Sequence, residues 1–421
     1  MEPARSTLYR SFLLSAVMVL LLMGAALRLW AWVALGIAYV AFLLVAWVSA
    51  RSRLAGVRAR RELYPSAFEE DEVAVDVLLE GDRPARMLEV VDSFGPAIAL
   101  EQWMLDPGPL TPGTRRRLSY VSYCSRQWGV YAVGPLRVVA SDPAGLFRAT
   151  RELPVVEEFA VFPRVYDVAG LGRVGARPTF SPQEAAAGRA GQSLLFLGAR
   201  DYRPGDDLRH VHWPASARRG SLVVKEYEVD LCPYATVFVD LERRHRAGTG
   251  RKSTFEYVVR TAASVVWTSV RAGNLVQVAG LGSKPLHVPP GGGENHLAFA
   301  LYELIRAQQD GTTSLTDVVL HHLPGVPANS TAVLVSGTVF LDLPALDELL
   351  TAFRDRGVRA AVFLVNNFSF PAIEGWPPPR AAVLEKCQEV TFFLRSRGVP
   401  VRVLEDTDDL AQVLGREGVG P

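Results

Sequence analysis

The feature that most limits what this chain can fold into lies at its start. Residues 11–27 form a run of 17 positions without a charge, and residues 29–48 a second run of 20, parted only by Arg28. Each approaches the roughly 17–25 residues that an α-helix needs to cross a bilayer. A cleaved secretory signal is the alternative for the first run, but a second span follows at once and no convincing cleavage site intervenes. One long buried helix is the other alternative, against which Gly24 and Arg28 favour a tight turn. Residues 1–61 are therefore predicted to form a two-helix transmembrane hairpin with a basic flank. Arg5 and Arg10 precede the first span, and Arg51, Arg53, Arg58, Arg60 and Arg61 follow the second. Positive charge marks the cytoplasmic side, so both ends and everything after them are expected there. The expectation is a two-pass protein of the cytoplasmic (inner) membrane, with the lipid bilayer as its first partner.

The remaining chain carries no strong field. Lys and Arg number 45 against 44 Asp and Glu, a formal charge of +1, so neither nucleic acid nor an acidic partner is indicated. Cys124, Cys232 and Cys387 are far apart and odd in number, with no Cys-x-x-Cys pair. That pattern favours a reducing compartment over a disulfide framework or a zinc site.

Residues 62–169 read as short strands with turns between them, a spacing that suggests a β-sandwich of immunoglobulin type. Trp103 and Trp128 are read as core residues of it. Residues 170–192, rich in Gly, Ala and Arg, read as a flexible linker. After residue 235 the period changes. Residues 235–241 form a buried-strand run ending near a carboxylate, Asp240. Ser253 and Glu256 make a capping box that opens a helix to residue 272. Asp342 can cap a helix ending at Gly357, and residues 379–397 form another ending at Gly398. A strand follows each glycine, and Leu334-Val335 adds one more. Such joints predict a doubly wound α/β domain over residues 235–421, with Asp240 where such sheets bind ligands.

Between linker and sheet, over residues 193–234, lies the most unusual stretch. Six cations (Arg200, Arg203, Arg209, Arg218, Arg219, Lys225) meet five acids (Asp201, Asp206, Asp207, Glu226, Glu228). Near cancellation suits an ion-pair network, with a partner-binding surface as the functional alternative. Pro204-Gly205 reads as a type II turn, Asp206 or Asp207 as the cap of a helical turn reaching Trp213, and Pro214 as its stop. Tyr202, Arg203, Pro204, Gly205, Asp206 and Asp207, then Arg209, His212, Trp213, Ser216 and Arg218, resemble the signature of the domain-of-unknown-function 58 family. Gly134-Pro135-Leu136, Asp142-Pro143-Ala144-Gly145 and Val161-Phe162-Pro163-Arg164 are similar to it more weakly. The resemblance implies a membrane-anchored protein with a von Willebrand type A-like domain, working beside a MoxR-like AAA+ ATPase.

Type A-like domains often hold magnesium through Asp-x-Ser-x-Ser, a later threonine and a late aspartate, because hard cations need oxygen ligands. Here Asp240-Leu241-Glu242-Arg243-Arg244 lacks both serines. Thr312 and Thr313 resemble the threonine loop, but residues 335–338 hold no aspartate. Bound magnesium is not expected, and no other cofactor is. Gly291-Gly292-Gly293 lacks the lysine of a phosphate loop, and Pro289-Pro290 before it reads as a turn. His210 and His212 lack a third ligand nearby in sequence. A hydrolase built on Asp206, His212 and Ser216 is the remaining alternative. The chain is read as a non-enzymatic scaffold that binds a protein partner.

Overall fold

The computed structural model describes residues 15–19, 21–82, 84, 88–106, 108, 110–142, 145–170, 196–202, 211–227, 234–371 and 380–415. The expected linker falls mostly outside these residues. The chain divides into two units, Met1–Pro163 and Arg164–Pro421.

In the first unit one helix, α1 (Trp30–Leu54, 25 residues), is long and apolar enough to cross a membrane. At about 1.5 Å per residue it spans about 37 Å. A shorter apolar helical stretch, Ser15–Ala26, precedes it. The chain turns at Arg28, whose φ is 48°, and the Leu29 N–H reaches back to the Gly24 carbonyl at 3.0 Å. Leu21 then lies against Gly36, where an added Cβ would stand 2.6 Å from Leu21 Cδ2. Leu35, Ile37, Val40, Leu44, Val45 and Val48 are exposed along α1, while Leu54 at its end joins a buried core.

That core belongs to two stacked sheets. One contains β1 (Val57–Glu62), β3 (Glu72–Gly81) and β6 (Arg115–Tyr123) in the order β1-β3-β6. The other runs β2 (Ser66–Phe68), β9 (Glu157–Phe162), β7 (Gly129–Ser141), β4 (Leu88–Phe94), β5 (Glu101–Asp106), with β8 (Arg148–Leu153) also paired to β7. Alternate residues of β3 point inward, so Val77 and Leu79 meet Val90, Leu136 and Val138 of the facing sheet. The two sheets share one core, which makes the unit a β-sandwich. Trp128 is buried as expected, but Trp103 is exposed. The pleat explains this: Met104, paired with Val90, packs on the core, so its neighbour Trp103 faces away.

Arg61 also departs from expectation. Read as part of a basic flank, it is the fifth residue of β1 and its side chain is fully buried. Its Nε and Nη2 grip Asp92 at 2.9 and 2.5 Å, and Nη1 donates to the Val133 carbonyl at 3.1 Å. The Tyr120 hydroxyl donates to the same carboxylate at 2.8 Å. Burial, and next the Asp92 carboxylate, push the Tyr120 phenol well above its ordinary value near 10. The folded state thus favours the neutral phenol. Its contribution is complete below pH 10 and declines as alkali ionises the unfolded tyrosine. Tyr120→Phe should cost roughly 1.5–3 kcal/mol at pH 8. Denaturant melts should show that gap narrowing above pH 10; a constant gap to pH 11 would contradict the assignment.

The second unit opens with residues 164–170 laid on its surface. The Tyr166 and Val168 amides donate to Ser264 Oγ and Thr268 Oγ1 at 3.1 and 3.0 Å, and Arg402 holds the Ala169 carbonyl at 2.6 Å. These bonds put the boundary at Pro163, ahead of the expected residue 169. Next comes a two-stranded antiparallel pair, β10 (Phe196–Asp201) and β11 (Val223–Tyr227), joined by a segment that includes the short helix α2 (Trp213–Arg219).

The rest is doubly wound. After β12 (Tyr234–Val239), a small hairpin of β13 (Gly248–Thr249) and β14 (Lys252–Ser253) leads into α3 (Thr254–Arg271). Ser253 Oγ accepts the Glu256 N–H at 3.3 Å, the predicted cap. There follow β15 (Leu275–Leu281), β16 (Pro285–Gly291), α4 (Glu294–Arg306), α5 (Leu315–His322), β17 (Thr331–Ser336), α6 (Leu343–Asp355), β18 (Arg359–Val365), α7 (Arg380–Ser396), β19 (Val401–Leu404) and α8 (Leu410–Gly415). Asp342 caps α6, and Gly273, Gly357 and Gly398 turn the chain at positive φ after α3, α6 and α7. The sheet order is β16-β15-β12-β17-β18-β19, parallel throughout except for β16. Pro289-Pro290, read as a turn, lies inside β16, which tolerates proline because it is an edge strand. Phe238, Leu334, Val362 and Leu364 face a core filled by α5, α6 and α7. The alternate residues Val237, Val239 and Val335 are buried on the other face, against which α3 packs.

Candidate functional site

Because β15 and β17 flank β12 on opposite sides, the chain reverses its winding direction at β12. Doubly wound sheets form their ligand crevice at such a reversal, beyond the carboxyl ends of the strands. Asp240 sits there, one residue past β12 and buried. Its Oδ1 accepts the Glu242 N–H at 3.0 Å, and its Oδ2 accepts the Gly337 N–H, just past β17, at 2.9 Å. His245 Nδ1 approaches the same Oδ2 at 2.8 Å. Glu242 is also buried, with Oε1 on the Arg244 Nε and Oε2 3.5 Å from His245 Nε2. One ligand atom each from Asp240, Glu242 and His245 fall within 4.8 Å of one another.

The loop before α5 closes the crevice. Gly311 pairs with Glu242, takes Leu241 O at 2.9 Å and gives its carbonyl to Arg243 N–H at 2.9 Å. A Cβ on Gly311 would stand 2.2 Å from Leu281 O, so only glycine lets the loop approach this closely. Gln309 of the same loop is buried, and neither amide atom has a hydrogen-bond partner. Its Nε2 lies 3.3 Å from the Cβ position of Gly337, which is itself 3.4 Å from Asp240 Oδ2.

An oxygen-only magnesium site does not fit these residues. Asp240 spends both oxygens on N–H donors. Glu242 and Arg244 stand where the two serines would be, and Thr312 is exposed. Among the described residues neither the Thr312 nor the Thr313 hydroxyl bonds to the cluster, although their loop borders it. Sequence reasoning found Asp240 but passed over Glu242, His245 and Gln309. An Asp-x-Glu-x-x-His pattern directly after a buried strand was the available signal.

Of the residues in the unusual stretch, Tyr202, His212, Trp213, Ser216 and Arg218 are described; Arg203, Pro204, Gly205, Asp206, Asp207, Arg209 and His210 lie outside the described residues. The helix α2 begins at Trp213, where a helical turn was expected to end. Pro214 sits in its first turn, where the missing N–H costs nothing, and His212 Nδ1 accepts the Ala215 N–H at 3.3 Å. Ser216 Oγ contacts only backbone: it accepts Val223 N–H at 2.9 Å and donates toward His212 O at 3.1 Å. It staples α2 to β11 and does not touch the His212 ring, so the hydrolase pairing of Ser216 with His212 is not formed. Arg219 and Asp201 form an exposed ion pair at 3.2 Å, and Tyr202 N–H bonds Leu222 O at 2.8 Å. Trp213 is left 63% exposed, with Arg218 exposed one turn away.

Residues 198–367 match the family model described as "Protein of unknown function DUF58". That match contains α2 and every residue of the Asp240 crevice, and covers less than half the chain. "Uncharacterized protein YeaD" of Bacillus subtilis (strain 168) is 27% identical over 159 residues, 37% of this chain and 38% of that protein. The alignment therefore reaches well under two thirds of that relative's length. Among solved structures, the PKD domain of an M14-like peptidase from Thermoplasmatales archaeon SCGC AB-540-F20 is 10% identical, covering 25% of this chain and 93% of that one, with a TM-score of 0.17. A β-glucosidase from Listeria innocua is 11% identical over 26% of this chain and 16% of its own, with a TM-score of 0.18. Scores this low carry no argument.

Proposed function

We propose that this chain is a membrane-anchored interaction protein whose doubly wound, type A-like unit engages a protein partner through the α2 face. The observation that carries this reading is Trp213. A tryptophan 63% exposed on a short helix, with Arg218 beside it and a buried Ser216 fixing the helix from below, offers the residue types that dominate binding energy at interfaces. Anchoring is supported by the apolar side chains left exposed along α1, a surface too large for water. The close approach of Leu21 to Gly36 supports a hairpin, and the arginines after α1 support a cytoplasmic position. The family resemblance points to a MoxR-like ATPase as the partner.

The test is direct binding of the detergent-solubilised full chain to the MoxR-like ATPase of the same organism. Trp213→Ala with Arg218→Ala should weaken binding by about tenfold or more while the melting midpoint stays unchanged. Undiminished binding by that folded variant would remove the α2 face from the account.

A further inference from the structure

The lone pairs around His245 do not balance as they stand. With Nδ1 donating to the Asp240 carboxylate at 2.8 Å, the ring's other nitrogen carries a bare lone pair. That atom, Nε2, faces Glu242 Oε2 at 3.5 Å, and this oxygen has no hydrogen-bond partner although Glu242 is only 3% exposed. Two lone pairs set against each other in a buried crevice call for a cation between them. Gln309, 4% exposed, brings a whole unpartnered amide to the same crevice. Rotation of that amide presents either its oxygen or its nitrogen.

We propose that Glu242 Oε2 and His245 Nε2, with Gln309 Oε1 as third donor, bind a borderline divalent ion of the zinc class. Asp240 is then the outer carboxylate that fixes the imidazole tautomer, an arrangement common among metal-bound histidines. The separation fits. Two ligands at about 2.0–2.1 Å from a tetrahedral ion stand roughly 3.3 Å apart, close to the 3.5 Å between Nε2 and Oε2. The mixed nitrogen and oxygen donor set disfavours magnesium, which demands oxygen and keeps its waters. Arg244 occupies Oε1 of Glu242, lowering the affinity without blocking Oε2. The partly exposed His245 ring leaves an entry path from solvent. None of this rests on the α2 face or on any partner.

The experiment uses the solubilised full chain, with any affinity tag removed and metal stripped by chelator. Zinc should raise its melting midpoint by several degrees, and equal magnesium should not. Cobalt(II) should give visible ligand-field bands, which zinc then bleaches. His245→Ala should abolish both signals, and Glu242→Gln should weaken zinc at least tenfold. Should His245→Ala fail to fold, His245→Gln serves the same purpose by keeping bulk and polarity. The proposal is overturned if zinc leaves the wild type unmoved, which would make His245 a doubly protonated bridge between the two carboxylates. It is equally overturned if the folded variants respond to zinc as the wild type does.

Discussion

Arg61→Ala is expected to destabilise the sandwich unit by about 3–5 kcal/mol, a shift in melting midpoint on the order of 10 °C. Both side chains of the Arg61–Asp92 pair have no exposure to solvent, and the guanidinium also serves the Val133 carbonyl. Removing the cation leaves Asp92 held only by the Tyr120 hydroxyl, a charge in the core with most of its compensation gone. Coulomb attraction alone does not set this magnitude. Desolvating both ions costs several kcal/mol each, so the intact pair contributes little net stability, whereas the broken pair carries the full penalty. The argument makes an uneven forecast. Arg61→Met with Asp92→Leu should recover most of the loss, because no charge is then stranded. Surface pairs such as Arg58–Asp82, both partners well exposed, should cost under about 1 kcal/mol when broken. Chemical denaturation of the three variants decides the matter; an Arg61→Ala loss no larger than that of Arg58→Ala would show that Asp92 finds other compensation.

How far the sequence discloses this molecule follows from how local each signal is. The caps at Ser253 and Asp342, and the glycines after three helices, act over four residues, so they are readable directly and place most of the doubly wound sheet. The apolar run that becomes α1 is legible for the same reason. Burial of Arg61 is not, because its partners lie 31 and 72 residues away and nothing near it in sequence distinguishes it from Arg58 or Arg60. Pro289-Pro290 misleads because proline marks a turn only when both strand edges need donors, and β16 has one edge free. Pro214 misleads in the other direction, since proline that stops a helix also starts one. At the crevice, Asp240 is legible from the strand that precedes it. Gly337, 97 residues on, and Gln309 join it only through the winding of the sheet. Searching for serines at fixed spacing therefore could not find a site whose donors are a glutamate, a histidine and an amide.

Asp240→Ala should produce the largest single loss in the second unit. This carboxylate accepts two backbone N–H groups, from Glu242 and Gly337, besides the His245 ring. Alanine strands both amides in a buried crevice, and each unsatisfied donor costs roughly 1–3 kcal/mol, so the sum is about 2–6 kcal/mol. Asp240→Asn provides the informative comparison. Its single oxygen can face either Glu242 or Gly337 and His245, but its NH2 must then meet the remaining donor head-on. One amide is stranded instead of two, and the loss should be close to half that of alanine. If the oxygen turns toward His245, the ring keeps its tautomer and zinc still binds, more weakly. Alanine, by contrast, should lose stability and zinc response together, while His245→Ala loses zinc response with little change in the metal-free melting midpoint. That separation tests whether Asp240 braces the switch between β12 and β17 or only serves an ion. Equal stability of Asp240→Ala and wild type, measured without metal, would mean that the Gly337 turn does not depend on the carboxylate at all.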